Sequence, residues 1–400
     1  MKRIYNQRHN KVAFLYAGSR LVERMAYYGL RSSIVLYMTG DVFKMSSRDA
    51  LTIYGWFGTA FLFSHVVGAI IGDLFIGNKR SIIFGGIVQS LGAFSLCISN
   101  EAGFFLGLFL IVLGGGLFTP NIISNFGKQY LKCPKLLDSG FTLLYTVGNF
   151  GALFGVVIIG VIGEQYGWNA AFLISGLLML LSMATIYFVK EDIVSTPPSK
   201  NLLIKESWAK ITIVVLSVAM LWATFSLVNY QMFDLHLKFS EILAYNIPRG
   251  FWTSMDSSFT LPLCILAVII WSFFYVTQLK KLVLGFVLAS ISFGFLFLIP
   301  ENLGQNHFVL YILFLFLLSV SEVLIIPILN STLTQYANPR YLAIILSLAY
   351  LPIRFLVFVV AMFNGPLSRE PGLSSVIAIV MAVSVSLGLI VYISRSERNQ

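Results

Sequence analysis

Apolar runs of about twenty residues follow one another along almost the whole of this 400-residue chain, and no other feature limits its fold so strongly. A helix needs roughly 20 mostly apolar residues to cross a hydrocarbon core, where each backbone polar group must find its partner within the protein. Twelve spans are legible, at about 12–38, 50–73, 78–99, 103–122, 139–162, 168–189, 211–233, 258–277, 281–300, 307–328, 341–363 and 372–394. The first carries charges, and 103–122, 281–300 and 307–328 are set off by very short turns. Apolar residues make up 58% of the chain and charged residues 11%, where a soluble domain has about a quarter charged. Short loops leave no room for a sizeable soluble domain. An all-α membrane protein of twelve transmembrane helices is the reading.

The net charge of +10 raises the question of a nucleic-acid partner, and its distribution answers it. With the N-terminus inside, inner segments hold eighteen Lys and Arg, from Lys2 and Arg3 through Lys79, Arg80, Lys128, Lys190 and Lys281 to Arg398. Outer segments hold five: Lys44, Arg48, Lys238, Arg249 and Arg369. This positive-inside bias places both termini in the cytoplasm and favours an even number of spans. It is a topology signal, so no nucleic-acid partner is expected. Cys97, Cys133 and Cys264 form no disulfide or metal spacing, the four histidines are scattered, and no cofactor is expected. The first apolar stretch contains Glu and Arg and no clear cleavage site, so no cleaved signal peptide is expected. Compact loops suit a bacterial inner (plasma) membrane.

The most polar inner stretch, Lys190 to Lys210, carries Glu191, Asp192, Pro197, Pro198 and Ser199. It divides the chain into a six-helix bundle at 1–190, a cytoplasmic linker at 191–210 and a second six-helix bundle at 211–400. That arrangement resembles the major facilitator superfamily, in which the substrate site lies at the midplane between halves. GLFLIVLGGGLFTPN in the first half and LFLLSVSEVLIIPILN in the second hint at an internal repeat. The longest outer loop, Asp234 to Ser257, is expected to form a short lid. Gly114, Gly115 and Gly116 before Pro120 allow close helix contact and a kink, for a moving gate or for packing alone.

Ionisable groups inside a membrane point to function, since each costs roughly 2.5–3.5 kcal/mol at a helix centre on insertion scales. Six stand out: Arg20, Glu23, Arg24, Arg31, Glu322 and Arg354. Arg20, Arg24, Tyr27 and Arg31 recur at helical spacing on one stripe of the first span, with Glu23 and Tyr28 beside it. The stripe is expected to line a polar cavity, and the alternative is a structural ion-pair network. Glu23 can pair with Arg20 or Arg24, which leaves Arg31 to grip a ligand anion. His65, two turns before Asp73, is a candidate proton carrier or a packing residue.

Glu23-Arg24-Met25-Ala26-Tyr27-Tyr28-Gly29-Leu30-Arg31 closely resembles the first-helix signature of the proton-dependent oligopeptide transporters (POT family). Gly68-Ala69-Ile70-Ile71-Gly72-Asp73 with Gly77-Asn78-Lys79-Arg80, Gly116 to Asn121, Tyr145 to Leu153, and Ser321-Glu322-Val323 follow in the family's order. The resemblance implies that Arg31 holds a peptide's terminal carboxylate and Glu322 faces its amino group. It also implies that Tyr27, Tyr28 and Asn149 line the pocket, and that Asp73 and its basic neighbours form a cytoplasmic latch. An ordinary inner turn is compatible with that latch.

The sequence also departs from the family. Arg20 replaces a glutamate, Thr119 a fourth-helix lysine, Ser226 a seventh-helix carboxylate and Leu62 a pocket tyrosine, while Gly55 aligns with the second-helix histidine of animal members. Charge balance makes Arg20 the stand-in for the lysine, and Arg354 is expected to pair with Glu322. The function expected is alternating-access transport of di- or tripeptides or related small carboxylates through the lipid bilayer, with proton symport put in question. The alternatives are an uncoupled carrier or exchanger, or a transporter-derived scaffold or partner subunit. No nucleophile–base pair or phosphate loop suggests an enzyme.

Overall fold

The structure, a computed structural model, describes residues 2–3, 8–40, 42–189, 204–243, 255–367 and 370–398. Among them are twelve long helices. The first six are α1 (Lys11–Thr39), α2 (Ser47–Ile70), α3 (Asn78–Leu96), α4 (Glu101–Lys128), α5 (Leu137–Tyr166) and α6 (Trp168–Tyr187). The second six are α7 (Ile204–Ile242), α8 (Met255–Phe273), α9 (Gln278–Phe297), α10 (Phe308–Tyr336), α11 (Leu342–Leu367) and α12 (Pro371–Arg398). Apart from helix there is a two-residue antiparallel ladder, β1 (Lys2–Arg3) with β2 (Phe274–Tyr275).

Nine of these segments are long and apolar enough to cross a membrane. The other three fall short for legible reasons. Charges interrupt α1, Lys79 and Arg80 open α3, and the apolar part of α8, Ser258–Phe273, is short. Side chains cap several starts: Asn10 accepts from the Val12 amide at 3.0 Å and Asn100 from that of Gly103 at 2.7 Å. Gly77 (φ 86°) and Gly167 (φ 88°) join α2 to α3 and α5 to α6 in a backbone conformation that favours glycine.

Small residues let the helices meet backbone to backbone, the packing that works where lipid removes the hydrophobic drive. A Cβ on Gly151 would meet the Leu21 carbonyl at 2.7 Å, and one on Gly155 would strike Met25, so α5 lies directly on α1. The three glycines of α4 face three different groups. Gly114 meets Gln89 of α3, Gly115 the ring of Phe61 on α2, and Gly116 the backbone of Ser64. All three are packing positions.

Two compact units emerge. One comprises Gln7–Asn201 with Leu333–Leu348, and the other Met1–Asn6, Leu202–Thr332 and Ala349–Gln400. The short piece 333–348, the end of α10 and the start of α11, belongs to the first unit although it lies far along the chain. Of the linker expected at 191–210, residues 191–203 lie outside the described residues, and α7 has already begun at Ile204. The outer loop expected from Asp234 is a correction: α7 continues to Ile242. Asp234 and Lys238 pair at 2.7 Å one turn apart, which supports these extra turns. Residues 244–254, the rest of that loop, lie outside the described residues, as do Arg249 and Arg369.

The two halves share construction details. Pro120 stands 19 residues after the start of α4, and Pro327 stands 19 residues after the start of α10. The residue that opens α3, Asn78, bonds Asn121 of α4, while Gln278, which opens α9, bonds Ser331 and Thr332 of α10.

Candidate functional site

The charged stripe of α1 is tightly ordered. Glu23 is fully buried, and both its oxygens are taken by Arg24: Nε to Oε2 and Nη2 to Oε1, each at 2.7 Å. Arg20 Nη1 reaches Oε2 at 3.2 Å. The hydroxyl of Thr119 on α4 accepts from Arg20 and from Arg24, both at 3.1 Å. Two guanidiniums and one carboxylate therefore share a buried site with net charge +1. Here Thr119 works as a shared acceptor for the two arginines.

Tyr27 and Tyr28 complete this cluster. The Arg24 guanidinium lies 4.8 Å from the Tyr27 ring centre and 5.5 Å from that of Tyr28, within range for cation–π attraction. Tyr27 packs edge-on against Tyr28 and against Phe61 of α2. Arg31, two turns beyond Arg24, is half-buried. Its Nε donates to the Tyr54 hydroxyl of α2 at 2.8 Å, and the Tyr54 ring centre is 5.2 Å away. A neutral phenol fixes the side chain without cancelling its charge. Sequence reasoning missed Tyr54, because no spacing rule relates it to α1.

The other expected residues are less gathered. Asn149, half-buried, donates to the Tyr145 carbonyl of its own helix at 3.1 Å. The His65 ring packs against Phe61, and its backbone carbonyl accepts from Ser347 at 3.1 Å. Glu322 is half-buried near the middle of α10. The expected pairing of Arg354 with Glu322 is corrected: the Arg354 guanidinium lies over Trp222 of α7, 5.7 Å from its centre. Both residues stand near mid-length of consecutive helices, and the contact Arg354 makes is with an aromatic ring.

A second polar cluster gathers where the extension of α2 meets the starts of α3 and α11. Asp73 sits in a π-helical stretch, Ile71–Ile76, that extends α2. Its Oδ1 accepts from Asn78 at 2.8 Å, and its Oδ2 from the Ile344 amide at 2.9 Å. A carboxylate at the first turn of α11 fits the unsatisfied amides and positive dipole end there. Asn78 also bonds Asn121 at 2.7 Å and accepts from Lys128 at 2.6 Å. The expected role of the neighbouring basic residues changes. Lys79 donates to the Tyr187 and Val189 carbonyls at the end of α6, and Arg80 is exposed. Cationic side chains suit such a C-terminus.

Twelve long helices among the described residues, nine of them long and apolar enough to cross a membrane, define a polytopic membrane protein. The chain belongs to the Major Facilitator Superfamily, whose sequence profile matches residues 16–362. It is 30% identical over 183 residues to dipeptide and tripeptide permease A of Pectobacterium carotovorum, covering 45% of this chain and 36% of that one. It is 34% identical over 175 residues to dipeptide and tripeptide permease B of Aliivibrio fischeri, covering 43% and 35%. The chain thus matches about a third of the length of these curated relatives. Among solved structures, the POT family transporter PepTSo is 16% identical with a TM-score of 0.62, covering 98% of this chain and 99% of that one. A bacterial homologue of the human peptide transporters PepT1 and PepT2 is 18% identical with a TM-score of 0.63, covering 96% and 98%. These structural likenesses establish the fold.

Proposed function

We propose that this protein is a divergent oligopeptide-transporter-type carrier that moves di- or tripeptides, or related small carboxylate-bearing solutes, by alternating access. The observation that carries this reading is Arg31: an intramembrane guanidinium held in place by the neutral hydroxyl of Tyr54. Such a group keeps its charge for a ligand carboxylate. The identity with di- and tripeptide permeases over more than forty per cent of the chain supports the same solute class. In this reading Tyr27, Tyr28 and Asn149 line the pocket on the unit that holds α1, and Glu322 faces the solute's amino group. Arg20 stands in for a missing basic residue, and Asp73 latches the inner end of α11. Both termini face the cytoplasm of a bacterial inner membrane.

One observation favours a carrier uncoupled from protons. Both oxygens of Glu23 are engaged by arginines, and Arg20 holds a place where a further carboxylate would have served. His65 and Glu322 then remain as candidate proton carriers. The test is uptake of a di- and tripeptide mixture by purified protein in liposomes, with and without an inward proton gradient, beside Arg31→Ala. Uptake lost in Arg31→Ala while the variant stays folded supports the carrier. Stimulation by the gradient brings proton symport back, and indifference supports facilitated diffusion or exchange. No uptake by folded wild-type protein removes the peptide-carrier reading and leaves a non-transporting scaffold in its place.

A further inference from the structure

We propose that Arg354, seated over Trp222, is a second anion-binding position that selects solutes bearing an acidic group in addition to the terminal carboxylate. Its location inside a solute path rests on the carrier reading above. Its chemistry rests on unit-internal geometry, since both residues belong to the unit Leu202–Thr332 with Ala349–Gln400.

Arg354 stands twelve residues after the first residue of the 26-residue α11, at the middle of that helix. The distance to the helix start is about 18 Å at 1.5 Å per residue, too far for the side chain to reach a membrane surface. An arginine stays charged at any physiological pH. At such a depth it must face water or an anion, because lipid would cost it roughly 2.5–3.5 kcal/mol. It is nevertheless exposed. The Trp222 ring, its centre 5.7 Å from the Arg354 guanidinium carbon, attracts the cation but does not neutralise it. The ring takes up none of the charge, so the guanidinium keeps the forked N–H donors that suit a carboxylate.

The experiment compares alanyl-glutamate with its neutral isostere alanyl-glutamine, in phosphatidylcholine liposomes without anionic lipid. Wild-type protein is expected to show an apparent KM about tenfold lower for alanyl-glutamate. In Arg354→Gln the ratio should fall to about one, and in Arg354→Lys it should be intermediate. A ratio that Arg354→Gln does not move overturns the proposal. Thermal unfolding of the purified protein with each dipeptide separates this idea from the carrier reading. A rise in Tm specific to alanyl-glutamate and absent in Arg354→Gln sustains the anion position even if no peptide is carried. Equal shifts with both dipeptides in wild-type protein overturn it, whatever uptake shows.

Discussion

Glu23 is fully buried, and among the described residues the two arginines paired with it make its charge tolerable. Removing one partner of a buried ion pair costs about 3–5 kcal/mol, because the remaining charge is left uncompensated. Glu23→Gln should therefore lower the unfolding midpoint sharply, and adding Arg20→Gln should recover part of the loss. Unfolding curves of both variants in detergent check this. At Arg31 the expected effect is on affinity. Tyr54→Phe keeps the ring but removes one hydrogen bond of about 1 kcal/mol, so apparent KM should rise about fivefold while maximal uptake holds. The α1 cluster was legible in the sequence because helical spacing fixes which neighbours can meet. Tyr54 was not, since its contact comes from another helix. The Arg354–Glu322 pairing failed for a related reason: complementary charges on neighbouring helices do not say which way each side chain turns.

At the scale of elements, close approach decides what each helix tolerates. Gly151 and Gly155 bring α5 onto the backbone of α1. Gly155→Val should abolish folded protein, while Gly160→Val, where a Cβ meets nothing within 4 Å, should not. Size-exclusion profiles of the two variants give the comparison. The start of α1 is tethered just ahead of its first turn. His9 Nδ1 lies 3.0 Å from the Tyr130 hydroxyl, and Nε2 lies 3.4 Å from that of Ser139. Burial lowers the His9 pKa below its usual 6.5, so the folded state prefers the neutral ring. That contribution is complete above about pH 6.5 and is lost as pH falls through the lowered value. Amide exchange around residues 8–11 should quicken on acidification, and His9→Asn should flatten that response. The positions of the spans were legible because apolar length is itself the signal. Their ends were not: α4, α7 and α10 run past the apolar stretches into polar residues, where apolar length no longer marks the stop.

For the whole molecule, the order of the chain and the grouping of its parts differ. Leu333–Leu348 groups with Gln7–Asn201, and Asp73 receives the Ile344 amide there. A hydrogen bond to a charged group contributes about 1.5–3 kcal/mol. Asp73→Ala should then speed exchange of the Ile344 amide tenfold or more, with Asp73→Asn falling between; mass spectrometry of the 339–348 peptide reads it. Nothing along the sequence announces this contact, since it joins positions 271 residues apart. The charged stripe of α1 also has a consequence for how the protein is made. Arg24 depends on Thr119, which lies 95 residues later. At about 5–20 residues per second, the ribosome delivers that partner some 5–20 s after the first helix. During that interval α1 is the least lipid-compatible of the early segments, and the insertion machinery must shelter it until α4 and α5 arrive.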